Sequence, residues 1–373
     1  MKVSFGLVIT SLLLTPSVMA TEKSSDWLED ILTKLGSSES VDHSKLIDWG
    51  VLPGPFVNPE QGFGIGIAAV GLYTPSNWQA NDPYSTLTVT SYGSTSGSYG
   101  VGVNNRTYLQ QDKLRLLGEA WISHTPGYYW GVGKEAAESD TNKTQYQGQR
   151  LLLNPKIAYE VGDNFYAKAG VKWQSFSQME DVGDNPLPSA LDDSTASGVV
   201  IGFEYDTRDF EPNPQSGEFI DVEWIANRGS LGSDQSYDHV TVNARRYTQI
   251  DDDTIIAMEV YSQSILGDAP WFDYAQLGDD ERMRGYYQGQ YRDKHQLSTQ
   301  VELRHTLSGR HGMVAWLGAG NVAPSYQALF DEKWLPTVGI GYRFAFKARI
   351  NVRIDLGFGK QSTGFYFQVN EAF

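Results

Sequence analysis

The sequence has 373 residues, with 45 acidic side chains against 29 basic ones and no cysteine, for a formal charge of −16. That balance excludes nucleic acid as a partner, because phosphate binding requires a basic patch, and the missing cysteines exclude a disulfide-stapled secreted module. Past the amino end no apolar run reaches 18 residues, which excludes a helical membrane span but not a barrel, whose strands are apolar only at alternate residues.

The chain opens with Lys2, an apolar run from Val3 to Leu14, and the small-residue end Val18-Met19-Ala20. These read as a secretory signal peptide over residues 1–20. Its removal takes away one positive charge and leaves −17. Residues 21–48 form a short amino-terminal segment. In it Trp27, Leu28, Ile31, Leu32 and Leu35 recur at helical spacing opposite Asp26, Glu29, Asp30 and Lys34, with Ser25 as the cap. The spacing predicts a short amphipathic helix that either plugs a barrel or lies at its periplasmic rim.

From residue 49 to 373 the dominant period is two. Ile350, Val352, Ile354, Leu356 and Phe358 share one face, and Arg349, Asn351, Arg353 and Asp355 share the other. A soluble sandwich could not bury that many charges on one strand, and its strands average only about five or six residues. In a barrel the charges line a wet lumen and the apolar face meets lipid. On this basis strands fall near 49–57, 61–73, 84–94, 98–109, 113–123, 145–160, 164–177, 194–206, 216–228, 236–248, 254–265, 295–307, 312–323, 334–346, 348–359 and 363–373. Sixteen is the even number that a closed antiparallel barrel with both ends in the periplasm requires. By parity the long connections 124–144, 178–193, 229–235 and 267–294 are extracellular, whereas turns such as Gly162-Asp163, Asp251-Asp252-Asp253 and Ser308–His311 are periplasmic.

Three local features stand out on this frame. Pro53 and Pro55 lie two apart, so both missing N–H groups face the same neighbour. They mark a candidate seam, weak toward either the second strand or the last, unless the first strand is simply irregular. The connection 267–294, about 28 residues long, exceeds any ordinary hairpin loop and is a candidate functional loop. At the carboxy end Phe365, Phe367, Val369 and Phe373 fall on one face, interrupted by Glu371.

Four motifs then point the same way. Arg284-Gly285-Tyr286 lies within the long loop. Asp206-Thr207-Arg208-Asp209 precedes Pro212, Pro214 and Gly217 in a turn. Tyr128-Tyr129-Trp130-Gly131-Val132-Gly133 occupies another loop, and Asn58-Pro59-Glu60-Gln61-Gly62-Phe63-Gly64 occupies the first hairpin. Together, over about residues 50–373, they resemble the BamA/TamA family of outer-membrane barrels, also known as the bacterial surface antigen domain. The resemblance implies that the long extracellular loop folds inward, that Arg284 is held by lumenal carboxylates, and that the terminal Phe373 is an assembly signal read by the barrel-assembly machinery. Glu302 is the expected partner of Arg284, with Asp355 beside it and Glu204 further off. Gly318 stands where the family usually has an aspartate. The periplasmic POTRA domains of the family have no room before the first strand, so a separate periplasmic partner is expected.

The expectation is thus an all-β, 16-stranded transmembrane barrel in the bacterial outer membrane, in contact with outer-membrane lipids. By resemblance it assists membrane biogenesis or the translocation of protein or lipid. The alternative is a small-conductance pore or structural barrel. Neither a cofactor nor a metal site is expected. No enzyme is expected either: the histidines are scattered, and no nucleophile sits in a strand-then-helix context.

Overall fold

The structure, a computed structural model, describes residues 25–38, 40–58, 61–76, 78–79, 82–182, 188–347 and 349–373. The expected leader, residues 1–20, lies outside the described residues, as do Pro59 and Glu60 of the first hairpin and the side chains of Ser25, Asp26, Trp27, Leu28 and Glu29.

The wall is built from long strands in chain order. They are β1 (Asp48–Asn58), β2 (Gly62–Tyr73), β3 (Ser85–Ser94), β4 (Tyr99–Leu109), β5 (Leu114–His124), β6 (Thr144–Gly162), β7 (Phe165–Asp181) and β8 (Ser194–Asp206). The second half continues with β9 (Gly217–Asn227), β10 (Tyr237–Asp251), β11 (Thr254–Leu266), β12 (His295–Ser308), β13 (His311–Ala323), β14 (Leu335–Lys347), β15 (Ile350–Phe358) and β16 (Thr363–Val369). Each pairs antiparallel with its predecessor, and β1 meets β16 to close a 16-stranded barrel. Among the described residues no helix is long and apolar enough to cross a membrane.

Period-two alternation produces a molecule with its polarity reversed. On β14 the outward Val338 and Ile340 are 54% and 57% exposed, while lumenal Glu302 and Asp355 on β12 and β15 are 0% exposed. Apolar outside and charged inside is the arrangement that suits a lipid-facing wall around a polar interior. Connections alternate between two ends. At the turn end, hairpins such as Asp163-Asn164 and Asp252-Asp253 are tight, and at the loop end lie the long segments 125–143, 182–193 and 267–294.

Two strand ends depart from the alternation. Arg349 leaves the inner face because it sits in the turn before β15 at φ +59° and pairs with Asp209 at 2.7 Å. The last strand stops at Val369, because Asn370 takes φ +71°, a left-handed conformation that asparagine tolerates. Phe373 therefore does not share the outer face of Phe365 and Phe367. It turns into the lumen and is 3% exposed.

The closure between β1 and β16 is unlike every other strand pairing. Among the described residues its ladder consists of Val57 opposite Phe365, whereas β15 and β16 pair all the way from Val352–Val369 to Phe358–Thr363. Below that point the two edges overlap instead of abutting. Leu52, on the inner face of β1, clusters with Phe367, Val369 and Val352 from the outer faces of β16 and β15. Gly54 allows the approach, since a Cβ there would lie 2.0 Å from the Phe367 ring. The last strand is tucked behind the first as a lap joint.

Helix α1 (Ser25–Lys34) sits at the turn end, outside the lumen. Its Leu32, with Leu35 just beyond, joins the cluster of Phe344, Phe367 and Val369. The residues that follow it bridge the joint. Val51 N–H donates to Leu35 O at 2.8 Å, and Ser38 N–H donates to Phe346 O at 3.3 Å. Ser37 Oγ also donates to Phe346 O, and Lys347 Nζ donates to Gly36 O.

Candidate functional site

The segment 267–294 enters the barrel from the loop end, and its deepest group is Arg284. The guanidinium is 0% exposed, and it donates to Asp355 at 2.6 Å and to Glu302 at 2.5 Å. Its Cζ lies over the Trp316 ring, 3.6 Å from the centroid. A planar fork can span two carboxylates while stacking on a ring, which an ammonium cannot do. Each carboxylate is shared with a second arginine: Glu302 with Arg304 at 2.8 Å, and Asp355 with Arg343 at 2.6 Å. The network gives every buried ion a counter-charge, and Arg353 adds a further contact to Asp355 at 3.0 Å; an isolated buried ion would be costly.

Backbone contacts fix the rest of the motif. Gly285 takes φ +105° and donates its N–H to Tyr366 Oη at 2.9 Å. Thr337 Oγ1 donates to Arg284 O at 2.6 Å, and Tyr286 Oη donates to Pro336 O at 2.7 Å. The loop is thereby tied to β14 and β16 by its main chain as well as by charge.

Nearer the loop end, Asp273 is a second anchor. It receives Tyr237 Oη at 2.6 Å and Lys172 Nζ at 2.8 Å, with His239 Nδ1 at 3.3 Å. Burial acts to raise its pKa, but Lys172 and His239 outweigh burial and hold it below the usual carboxylate range. Trp271 packs edge-on against Tyr129, Tyr146 and Phe176, making an aromatic dome over the lumen. Asp279 has the opposite character. Burial, with help from Glu281 and Asp280 and against Arg282, pushes it up to about 7.

The turn 206–209 forms a separate cluster at the turn end. Asp206 accepts from Arg208 at 2.8 Å and from Arg115 at 2.9 Å, and Thr207 Oγ1 accepts from Glu218 N–H. Asp209 accepts from Gln215 N–H at 3.0 Å and closes the turn.

The structure thus brings Arg284, Gly285 and Tyr286 together with Glu302 and Asp355. Glu204 is elsewhere, 2.5 Å from Arg115. The position of Gly318 leaves little space for an aspartate, since a Cβ there would lie 2.7 Å from Thr299 O. Sequence reasoning missed Trp316 and Tyr366, although both fall on the lumenal parity of their strands. Pro53 and Pro55 lie opposite Ile67 and Ile65 of β2. Val51 N–H points away from β2 toward Leu35, and residues two apart share an edge, so both prolines present their missing donors to the joint. Among the described residues no group of acidic and histidine side chains is arranged to hold a metal ion.

A barrel whose loop latches an Arg-Gly-Tyr motif onto lumenal carboxylates is matched, over residues 84–373, by the family model for the Omp85 superfamily domain. The chain belongs to the Omp85 superfamily. Omp85 barrels are transporters and assembly factors, not enzymes. Among solved structures, this Omp85 chain is similar to BamA from Haemophilus ducreyi lacking POTRA domains 1-3, with TM-score 0.55 and 13% identity over 92% of this chain and 76% of that one. It is similar to CdiB from Acinetobacter baumannii (TM-score 0.56, 12% identity, 88% of this chain) and from Escherichia coli (TM-score 0.57, 10% identity, 87% of this chain), spanning 60% and 62% of those proteins. At these identities the likeness is one of fold. No curated protein matches the sequence.

Proposed function

We propose that this Omp85 barrel works in the bacterial outer membrane, with its turn end in the periplasm, and assists the insertion or passage of polypeptide or lipid through the joint between β1 and β16. The observation that carries this reading is that, among the described residues, the ladder between β1 and β16 is the one pair Val57 and Phe365, beside two prolines that withdraw donors from the same edge. A strand edge in lipid costs several kcal/mol for each unsatisfied group, so an ordinary barrel closes its ladder completely. A joint held by side-chain packing can part with less loss. Outer-membrane lipids, the barrel-assembly machinery and a separate periplasmic protein are the partners this role calls for. The latched loop occupies the lumen against β12, β14, β15 and β16, which favours a seam-based role over a steady open pore.

The chain has no cysteine, so an introduced pair is unique. Val57→Cys with Phe365→Cys places thiols at directly opposed positions, within reach of a disulfide. Cells dependent on the oxidised barrel should show the outer-membrane proteome and lipid asymmetry of a gene deletion, and reduction should restore the normal state. A locked barrel that complements fully would overturn the seam reading. A deletion with no change under envelope stress would overturn the biogenesis role itself.

A further inference from the structure

Residues 370–373 occupy a built pocket in the lumen at the turn end. After Asn370 the chain leaves β16, and Glu371 N–H donates to Pro212 O at 3.1 Å. The Glu371 carboxylate accepts from Arg343 at 2.7 Å and from Asn351 at 2.6 Å, and it lies 3.9 Å from Arg304. Ala372 and Phe373 reach the far wall and cluster with Tyr247 of β10 and Ala257 of β11. The Phe373 ring lies 5.4 Å from the Arg304 guanidinium and 6.0 Å from that of Arg245, and Arg304 donates to Phe373 O at 2.6 Å.

Two features distinguish this pocket from ordinary core. Three arginines, Arg245, Arg304 and Arg343, converge on it, and the segment supplies an acidic side chain and an aromatic ring, the two groups that guanidinium planes bind well. The pocket also keeps unused hydrogen-bonding capacity. Tyr247 Oη and Arg343 Nη2 belong to side chains at least nine-tenths buried, yet neither atom has a hydrogen-bond partner among the described residues. Core groups are normally satisfied, so the resident segment does not exhaust what the pocket offers.

We infer that this pocket is an exchangeable site for an extended peptide segment of the form acidic–small–aromatic, and that the chain's own Glu371-Ala372-Phe373 is its resident occupant. Arg343 and Asn351 read the acidic residue, and Arg304, Arg245 and Tyr247 read the aromatic one. The tether is short and breaks strand geometry at Asn370, so the segment can leave without disturbing β16 above Val369. A polypeptide arriving from the turn end competes for the same groups. This rests on the reading of the barrel as one that handles polypeptide and names the feature it would recognise.

The test uses the full-length chain in detergent and a fluorescent peptide with the sequence of residues 366–373. Self-occupancy lowers apparent affinity by the fraction of empty pocket. The variant Glu371→Ala/Phe373→Ala should therefore bind the peptide about tenfold more tightly than the unmodified chain. A peptide carrying the same two alanines should bind neither. Equal affinity for variant and unmodified chain, or equal binding of the altered peptide, would overturn the inference. Should the variant fold poorly, hydrogen exchange of the unmodified chain decides the matter. Excess peptide must accelerate exchange at residues 370–373 and leave β16 unchanged; no acceleration refutes the site. Neither measurement requires transport activity, so their failure is separate from failure of the proposed function.

Discussion

Gly285 of the latched loop and Gly357 of β15 meet backbone to backbone: a Cβ on Gly285 would lie 2.8 Å from the Gly357 carbonyl carbon, and one on Gly357 would lie 2.8 Å from Arg284 C. The loop is thus seated by two absent side chains as much as by charge. Gly357 does not have a positive φ, so Gly357→Ala changes only the space and should cost on the order of 1–3 kcal/mol through overpacking. The expected result is faster proteolytic nicking within 267–294 while the barrel keeps its heat-modifiable mobility on gels. Unchanged nicking would show that the loop accommodates the methyl.

Arg284→Lys keeps the charge and discards the fork. An ammonium cannot bridge Glu302 and Asp355 while stacking on Trp316, so the loop should loosen by about 1–3 kcal/mol. Both carboxylates retain Arg304 and Arg343, which is why the barrel itself should remain folded. For the same reason a charge swap of Arg284 with Glu302 should not rescue, since an arginine at position 302 would face Arg304. Full recovery in the swap, read by loop protection, would mean that the pair acts alone.

Asp279 gives the loop a dependence on pH. Its carboxyl is raised from 3.8 to about 7, so ionisation is harder in the folded loop than in the free chain. Its contribution is complete below 3.8 and fades as pH rises through about 7. Loop opening, measured as transient conductance in planar bilayers, should increase between about pH 4 and 7 and level off above that. Asp279→Asn stays neutral and should flatten the profile. An identical rise in the variant would assign the effect to another group.

Pro53→Val with Pro55→Val restores two donors to the joint edge. If β16 rises to meet them, each new bond adds about 0.5–1.5 kcal/mol. The barrel should then need a higher temperature to unfold on gels and should complement a deletion less well. A stabilised barrel with undiminished function would separate the prolines from the working seam.

Alternation made the wall readable. The outward series Val338, Ile340, Tyr342 and the inward series Glu302, Arg304 need only local sequence, because a strand's faces are set by parity. The loop motif was readable as a group that needs acid partners in the lumen. What parity cannot report is where a strand stops. Phe373 matched the outward series, yet one left-handed residue, Asn370, sends it inward, and the charge at Glu371 was the visible sign of that break. The overlap of β1 and β16 was equally hidden, since it depends on Gly54 meeting a ring more than three hundred residues away.

Because β16 lies behind β1, the circumference of the barrel is not fixed by strand number alone. A hydrogen-bonded wall changes girth only in whole ladder steps, each leaving bare amides in hydrocarbon. An overlapped wall can slip like the free end of a belt, trading apolar contact at Leu52 and Phe367 for contact with lipid tails, which are equally apolar. Widening would then be graded and reversible, and bilayer thickness and lateral pressure would set its extent.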